Sequence, residues 1–194
     1  MKKQPEITAR TREKLMDAFW ELYCANGMGK VTVGAVAKAA GFNRSTFYEY
    51  FTDIYELLEE LENALIQDLK EQISCEFSDG FPKKFLEFSK VCAKIFSGHD
   101  DMIYILLSDK GDPAFLPKLK AMLLPVILRN FGFSKEEPYL DYLMTFAFSS
   151  LIGMLNHWYA KGKEISTEEL FQVTQSLVAG GISGFTKKQI FEQE

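Results

Sequence analysis

The chain has 194 residues, with 22 Lys and Arg against 27 Asp and Glu and a formal net charge of −5. Its 47% hydrophobic and 14% aromatic content, with 17 Phe, supplies enough apolar mass for a substantial core and excludes a disordered chain. The net acidity argues against non-specific nucleic-acid binding as a whole-chain property, because neutralising phosphates needs excess cations.

In chain order, Leu15, Met16, Phe19, Leu22 and Tyr23 recur at the spacing of one helical face and predict a helix from Ile7 to Asn26, stopped by Asn26-Gly27-Met28-Gly29. Thr32 is a cap for a short helix over 33–40, which Gly41 ends, and Asn43 caps another over 44–50. Asp53 and Glu56 open a long helix to about Phe77, with Leu57, Leu58, Leu61, Leu65 and Leu69 as its stripe. Ser78-Asp79-Gly80 precedes a helix over about 82–97, and Ser97-Gly98 precedes a short one over roughly 99–109. Asp112-Pro113 opens a helix to Asn130 with Pro125 as a kink. Further helices run over about 138–161 and, from the capping box Ser166/Glu169, to about Phe185. No period-two alternation survives, so the chain is all-α with about nine helices.

The charge divides at Asp53. Residues 1–53 hold eight Lys/Arg and six Asp/Glu, a balance of +2, whereas residues 54–194 hold fourteen and twenty-one, a balance of −7. This suggests a mildly basic head (1–53) and an acidic body (54–194), with the helix over 54–77 linking them. Three scattered Cys without a C-x-x-C pair, and an N-terminus without an apolar leader, suit a reducing, cytoplasmic setting. Residues 142–160 carry no charge and are long enough to cross a bilayer. Yet Thr145, Ser149, Ser150, Asn156 and His157, with no second such segment, read as a helix buried in protein.

Residues 31–51, VTVGAVAKAAGFNRSTFYEYF, place two short helices around a Gly41 turn, with Val36, Ala40, Phe42, Phe47 and Tyr50 set to pack together. That is the sequence form of a helix-turn-helix whose second helix enters a DNA major groove. Its exposed residues would be Arg44, Ser45, Thr46 and Tyr48, a cation, two hydroxyls and a phenol that suit base edges and phosphates. Phe42, Phe47 and Phe51 read as head core.

The stretch from Val31 to Leu58 resembles the DNA-binding head of TetR/AcrR-family transcriptional regulators. The family pattern falls on Thr32, Val36, Ala37, Ala40, Gly41, Phe42, Phe47, Tyr48, Tyr50, Phe51 and Leu57. The resemblance implies that Thr32, Lys38, Asn43, Arg44, Ser45, Thr46, Tyr48 and Tyr50 face DNA. Asn43 replaces the usual Ser cap, an equivalent acceptor. Ile54 stands where the family has a Lys and so removes a phosphate contact, which leaves Lys30, Lys38 or the basic arm (Lys2, Lys3, Arg10, Arg12) to replace it.

The resemblance further implies a C-terminal body that binds a small molecule and dimerises through its last two helices. The uncharged 142–160 helix and the apolar, Gly-rich last helix independently suit such an interface. Aromatic and Met side chains that could line a pocket for an apolar or amphipathic ligand are Phe85, Phe88, Phe96, Tyr104, Met122, Met144, Phe148, Met154, His157 and Trp158; each also fits plain core. The expected function is a homodimeric, ligand-responsive repressor of a near-palindromic double-stranded operator. The alternative is a protein-binding module that kept the fold while losing DNA affinity. Catalysis is not expected: Gly181-Ile182-Ser183-Gly184 misses the nucleophile elbow, and no phosphate-binding glycine loop or H-E-x-x-H occurs. No cofactor is expected, and two His are thin support for a metal at His99, Asp100, Asp101 and Asp109.

Overall fold

Helix α1 (Pro5–Asn26) begins a series that continues through a 3-10 turn (Met28–Lys30), α2 (Val33–Ala39), α3 (Arg44–Tyr48), α4 (Ile54–Glu76), α5 (Phe85–Ser97), α6 (Asp100–Leu107), α7 (Phe115–Phe131), α8 (Leu140–Ala160) and α9 (Thr167–Gly184). The computed structural model describes residues 5–77, 85–108, 111–131, 134, 136 and 138–184. Side chains at 5–7, 85–89, 127, 130–131, 178–179 and 181–184 fall outside that description as well. All regular structure among the described residues is helical, as the missing two-residue period implies.

The helix boundaries follow the local chemistry. Thr32 Oγ1 accepts the Ala35 N–H at 3.2 Å and starts α2. At its end, Phe42 N–H reaches Ala37 O at 2.8 Å and Gly41 N–H reaches Lys38 O at 3.1 Å. This paired closure requires a left-handed residue, and Gly41 supplies it with φ 79°. Asp53 Oδ1 accepts from Tyr55 N and Glu56 N and opens α4. Glu56 reaches back to the Thr52 N–H, one residue before the cap. At α9 the box is reciprocal, with Ser166 N donating to Glu169 Oε2 at 2.8 Å and Glu169 N to Ser166 Oγ at 3.2 Å. Helix α7 starts at Phe115, later than the Asp112-Pro113 signal implies, because Asp112 caps a preceding turn, Oδ1 accepting the Ala114 N–H at 2.9 Å.

The core sits along α4. Leu15, Phe19 and Tyr23 of α1, Val36 and Ala37 of α2, and Phe47 and Phe51 are buried with Leu57 and Leu58 at the start of α4. Leu65 and Leu69 carry the same stripe into the body, where α5 lies along α9, α8 flanks α9, and α6 touches both α7 and α8. Phe96 meets Phe171 edge-on at 5.4 Å between ring centroids. Among the described residues no helix is long and apolar enough to cross a membrane.

Within this stripe one position is polar. Glu62 has no exposed surface, and its carboxylate accepts from Lys118 Nζ of α7 at 2.8 Å. Glu59 of α4 lies 3.9 Å from the same ammonium. Burial pushes the Glu62 pKa above the ordinary carboxylate value; Lys118 counters that shift, while the Asp112 carboxyl adds to it. Tyr23 on α1 feels the same environment, its phenol pushed up to about 12 first by burial and then by the Glu62 and Asp112 charges. Removing the cation therefore leaves a buried carboxylate unpaired. Lys118→Met is expected to lower stability at neutral pH by about 3 kcal/mol, the lower end for breaking a buried pair because Lys118 is partly solvated. Glu62→Gln should stay within about 1 kcal/mol of the parent. A carboxylate with a raised pKa destabilises the fold above that value and is relieved below it, so the Lys118→Met deficit should shrink as the pH falls from neutral toward the ordinary carboxylate range. Urea denaturation across pH measures this.

Candidate nucleic-acid interface

Helix α3 is fixed from its apolar side. Phe47 is fully buried, tilted against Phe51 at 5.6 Å and edge-on to Tyr48 at 5.8 Å between centroids. With that face held, Arg44, Ser45 and Tyr48 lie exposed on the other, Tyr48 retaining 59% of its surface. Thr46 is half-buried, as is Tyr50, which packs partly against the head core.

Asn43 organises the start of α3. Its Oδ1 accepts from Thr46 N at 2.8 Å, Thr46 Oγ1 at 3.0 Å and Ser45 Oγ at 2.6 Å. The cap thus also ties down the hydroxyls of Ser45 and Thr46. Arg44 is arranged differently: its guanidinium lies across Gly34 of α2, with Nη2 2.7 Å, Nε 2.8 Å and Cζ 3.1 Å from where a Cβ on Gly34 would sit. Thr32 at the α2 cap and Lys38 in its last turn are both exposed.

The cations proposed to replace the missing family Lys are not equivalent. Arg12 pairs with Glu60 of α4 and sits 5.4 Å over the Phe51 ring, so it braces α1 against α4 instead of pointing freely outward. Lys30 and Arg10 are exposed; Lys2 and Lys3 lie outside the described residues. Ile54 itself is half-buried against the head core, which gives the departure from the family pattern a packing role.

The described members of the sequence-predicted ligand set take several different partners, and Met154 lines a groove. Tyr104 stacks on Tyr159 at 3.6 Å and 7°. Trp158 is buried, its Nε1–H donating to Ile165 O at 2.7 Å. Phe148 is buried beneath Lys120, whose Nζ lies 5.4 Å from the ring. Met122, Met144 and Met154 are half-buried, His157 is exposed, and Phe96 packs on α9. The Phe85 and Phe88 side chains lie outside the described residues. A groove of about 310 Å³ does open between α8 and α9, lined by Phe146, Ser149, Ser150, Gly153, Met154, Thr174 and Leu177. Beside it Tyr139, Tyr142 and Leu143 stand exposed, as does Phe146 at 58%.

Two clusters were missed by pattern reading. Lys163 holds Asp100 Oδ2 at 2.7 Å and Asp101 Oδ1 at 3.0 Å, while Tyr159 Oη donates to the same Asp101 oxygen at 3.0 Å. Burial works against the Lys163 charge, but the two carboxylates outweigh it and raise its pKa. His99 Nε2 lies 2.8 Å from Asp68 Oδ2 of α4. The residues that suggested a weak metal motif are thus partnered elsewhere, apart from Asp109, which lies outside the described residues. Among the described residues no three His, Cys, Asp or Glu side chains are placed so as to hold a metal ion. Chain separations of about 30 to 60 residues hide such pairs from any local pattern.

Residues 15–61 match the family model of bacterial regulatory proteins of the tetR family, and residues 83–180 match the model of a transcriptional regulator C-terminal region. Among curated proteins none matches in sequence. A TetR transcriptional regulator from Streptococcus agalactiae is 29% identical, the alignment covering 88% of this chain and 94% of that one at a TM-score of 0.64. The fatty acid degradation regulator FadR of Bacillus halodurans aligns over 94% and 98% of the two chains, with 17% identity and a TM-score of 0.67. FadR of Bacillus subtilis, solved with stearoyl-CoA, aligns over 88% and 98% with 17% identity and a TM-score of 0.66.

Replacing Asn43 tests the organisation of α3. Asn43→Ala should cost about 1 kcal/mol of stability, whereas Asn43→Ser, which keeps an acceptor at the cap, should stay near the parent. Thermal denaturation of the two variants makes the comparison.

Proposed function

The chain belongs to the TetR family of bacterial regulatory proteins, and from that premise we propose that it is a dimeric, cytoplasmic repressor released from its operator by a small amphipathic ligand. The observation that carries the DNA half is the exposed face of α3, where Arg44, Ser45 and Tyr48 stand out from a helix anchored by buried Phe47. Thr32, Lys38, Asn43, Thr46 and Tyr50 complete the DNA-facing set, chiefly as cap and phosphate contacts. With a head balance of only +2, affinity leans on base contacts and on having two heads more than on bulk charge, and the salt slope should be modest.

The exposed stripe Tyr139, Tyr142, Leu143 and Phe146, continuous with the α8–α9 groove, supports dimerisation through the last two helices. A two-fold pairing there sets two α3 helices about one DNA turn apart, on the order of 34–36 Å, and calls for a near-palindromic operator. For the effector, the stearoyl-CoA held by the Bacillus subtilis neighbour makes long-chain acyl thioesters the first class to try. Of the sequence-predicted ligand residues, Tyr104, Met122, Met144, Phe148, Met154, His157 and Trp158, with Phe85 and Phe88, remain the proposed set. Trp158 enters it by its ring face alone, because its N–H is already satisfied.

Arg44→Ala and Tyr48→Ala should each weaken binding to the selected operator roughly five-fold or more in a fluorescence-anisotropy titration. Unchanged affinity in both would overturn this assignment of α3, and failure of the parent to bind any duplex would favour the protein-binding alternative. Stearoyl-CoA at micromolar concentration should release the operator if the ligand class is right. Phe146→Asp should shift the protein from dimer to monomer in sedimentation velocity and weaken operator binding with it, because the two heads would no longer be coupled.

A further inference from the structure

We propose that Gly34 sets the aim of Arg44 and is thereby a specificity-determining residue; the inference rests on the DNA reading by α3 put forward above. Gly34 is the second residue of a seven-residue helix, a position where glycine weakens the helix relative to alanine. Its backbone is not among those with positive φ, so conformational freedom does not account for it. Space does. The atoms of Arg44 stand 2.7 to 3.1 Å from the site of a Cβ on Gly34, so a side chain at that position requires the guanidinium of Arg44 to move aside.

The three distances also give the orientation. Nη2 and Nε are nearer than Cζ, so the Nε–Nη2 edge of the guanidinium faces α2 and the Nη1 end is turned away from it. Among the described residues no ion pair or hydrogen bond otherwise holds Arg44, which is exposed at the first position of α3. A long side chain without a partner would sample many rotamers, and the notch over Gly34 selects one. The neighbours Ser45 and Thr46 are held by Asn43, so the same three-residue edge of α3 is ordered by two separate devices, a cap oxygen for the hydroxyls and a missing methyl for the cation.

A methyl at position 34 would lift the guanidinium off α2 and turn its donors away from the base edge it addresses. The test uses the full-length protein. The parent selects duplexes from a random-sequence library, and the enriched duplex becomes the probe for Gly34→Ala, Gly34→Ser, Arg44→Ala and the double variant Gly34→Ala/Arg44→Ala. Gly34→Ala should keep or raise the thermal midpoint, weaken binding roughly five-fold or more, and relax base preference at one position in each half-site on reselection. Added to Arg44→Ala, it should change nothing further, because the side chain it acts through is gone. Gly34→Ser should behave like Gly34→Ala and stands in for it should the latter fold poorly.

An equal loss from Gly34→Ala in both backgrounds would overturn the inference. So would parent-like affinity and base preference in Gly34→Ala while Arg44→Ala is impaired. If Arg44→Ala itself binds and selects as the parent does, the DNA reading by α3 fails first and this inference with it.

Discussion

The long helix α4 is the constraint on which the rest of the structure depends. Its 23 residues make a rod of about 34 Å whose single apolar stripe is shared between head and body. Ile54, Leu57 and Leu58 pack with the core of α1 to α3, and Leu65 and Leu69 continue the same cluster onward. Between them Glu62 is tied to α7 through Lys118, and one turn beyond Leu65 Asp68 meets the His99 cap of α6. An α-helix transmits displacement well because its backbone bonds resist bending. In the proposed regulation, a ligand that favours a different placement of α6 or α7 would act on α4 through these two polar contacts. The buried pair makes that contact intolerant of partial change, since a carboxylate without surface cannot trade its ammonium for water.

How much of this was legible in the sequence follows from how local each feature is. The head was readable nearly whole: Thr32, Asn43 and Asp53 cap the helices they precede, Gly41 makes the turn, and Phe47 is buried. Each of these depends on neighbours within a few residues. The body was readable as a series of helices, with the box at Ser166 and Glu169 formed as the spacing implied. Glu62 escaped notice because an acidic residue on a long helix normally marks the solvent side, and the Lys118 that reverses this reading is 56 residues away. Arg12, read as part of a basic arm, is drawn instead to Glu60 and Phe51.

Aromatic residues in the body show the same limit from another direction. Phe146 and Phe148 are two positions apart on α8 and indistinguishable by composition, yet one is 58% exposed and the other 6%. Core, interface and pocket all ask for the same residue types, so only the register of the helix against its neighbours separates them. The exposed stripe on α8 is therefore informative where the list of aromatic residues was not: uncovered rings in a row leave apolar area in water that a second surface would remove.

The hydrogen-bond arrangement at Asn43 has a consequence for what α3 can say to a base pair. Ser45 and Thr46 each spend their hydroxyl proton on the same amide oxygen. A hydroxyl so engaged keeps its lone pairs and nothing to give. In the proposed DNA reading the two residues would therefore offer acceptors, which complement the exocyclic amino groups of adenine and cytosine, while the guanidinium beside them would offer donors that complement guanine. One amide oxygen thereby gives the first turn of α3 a directional polarity, accepting at 45 and 46 and donating at 44.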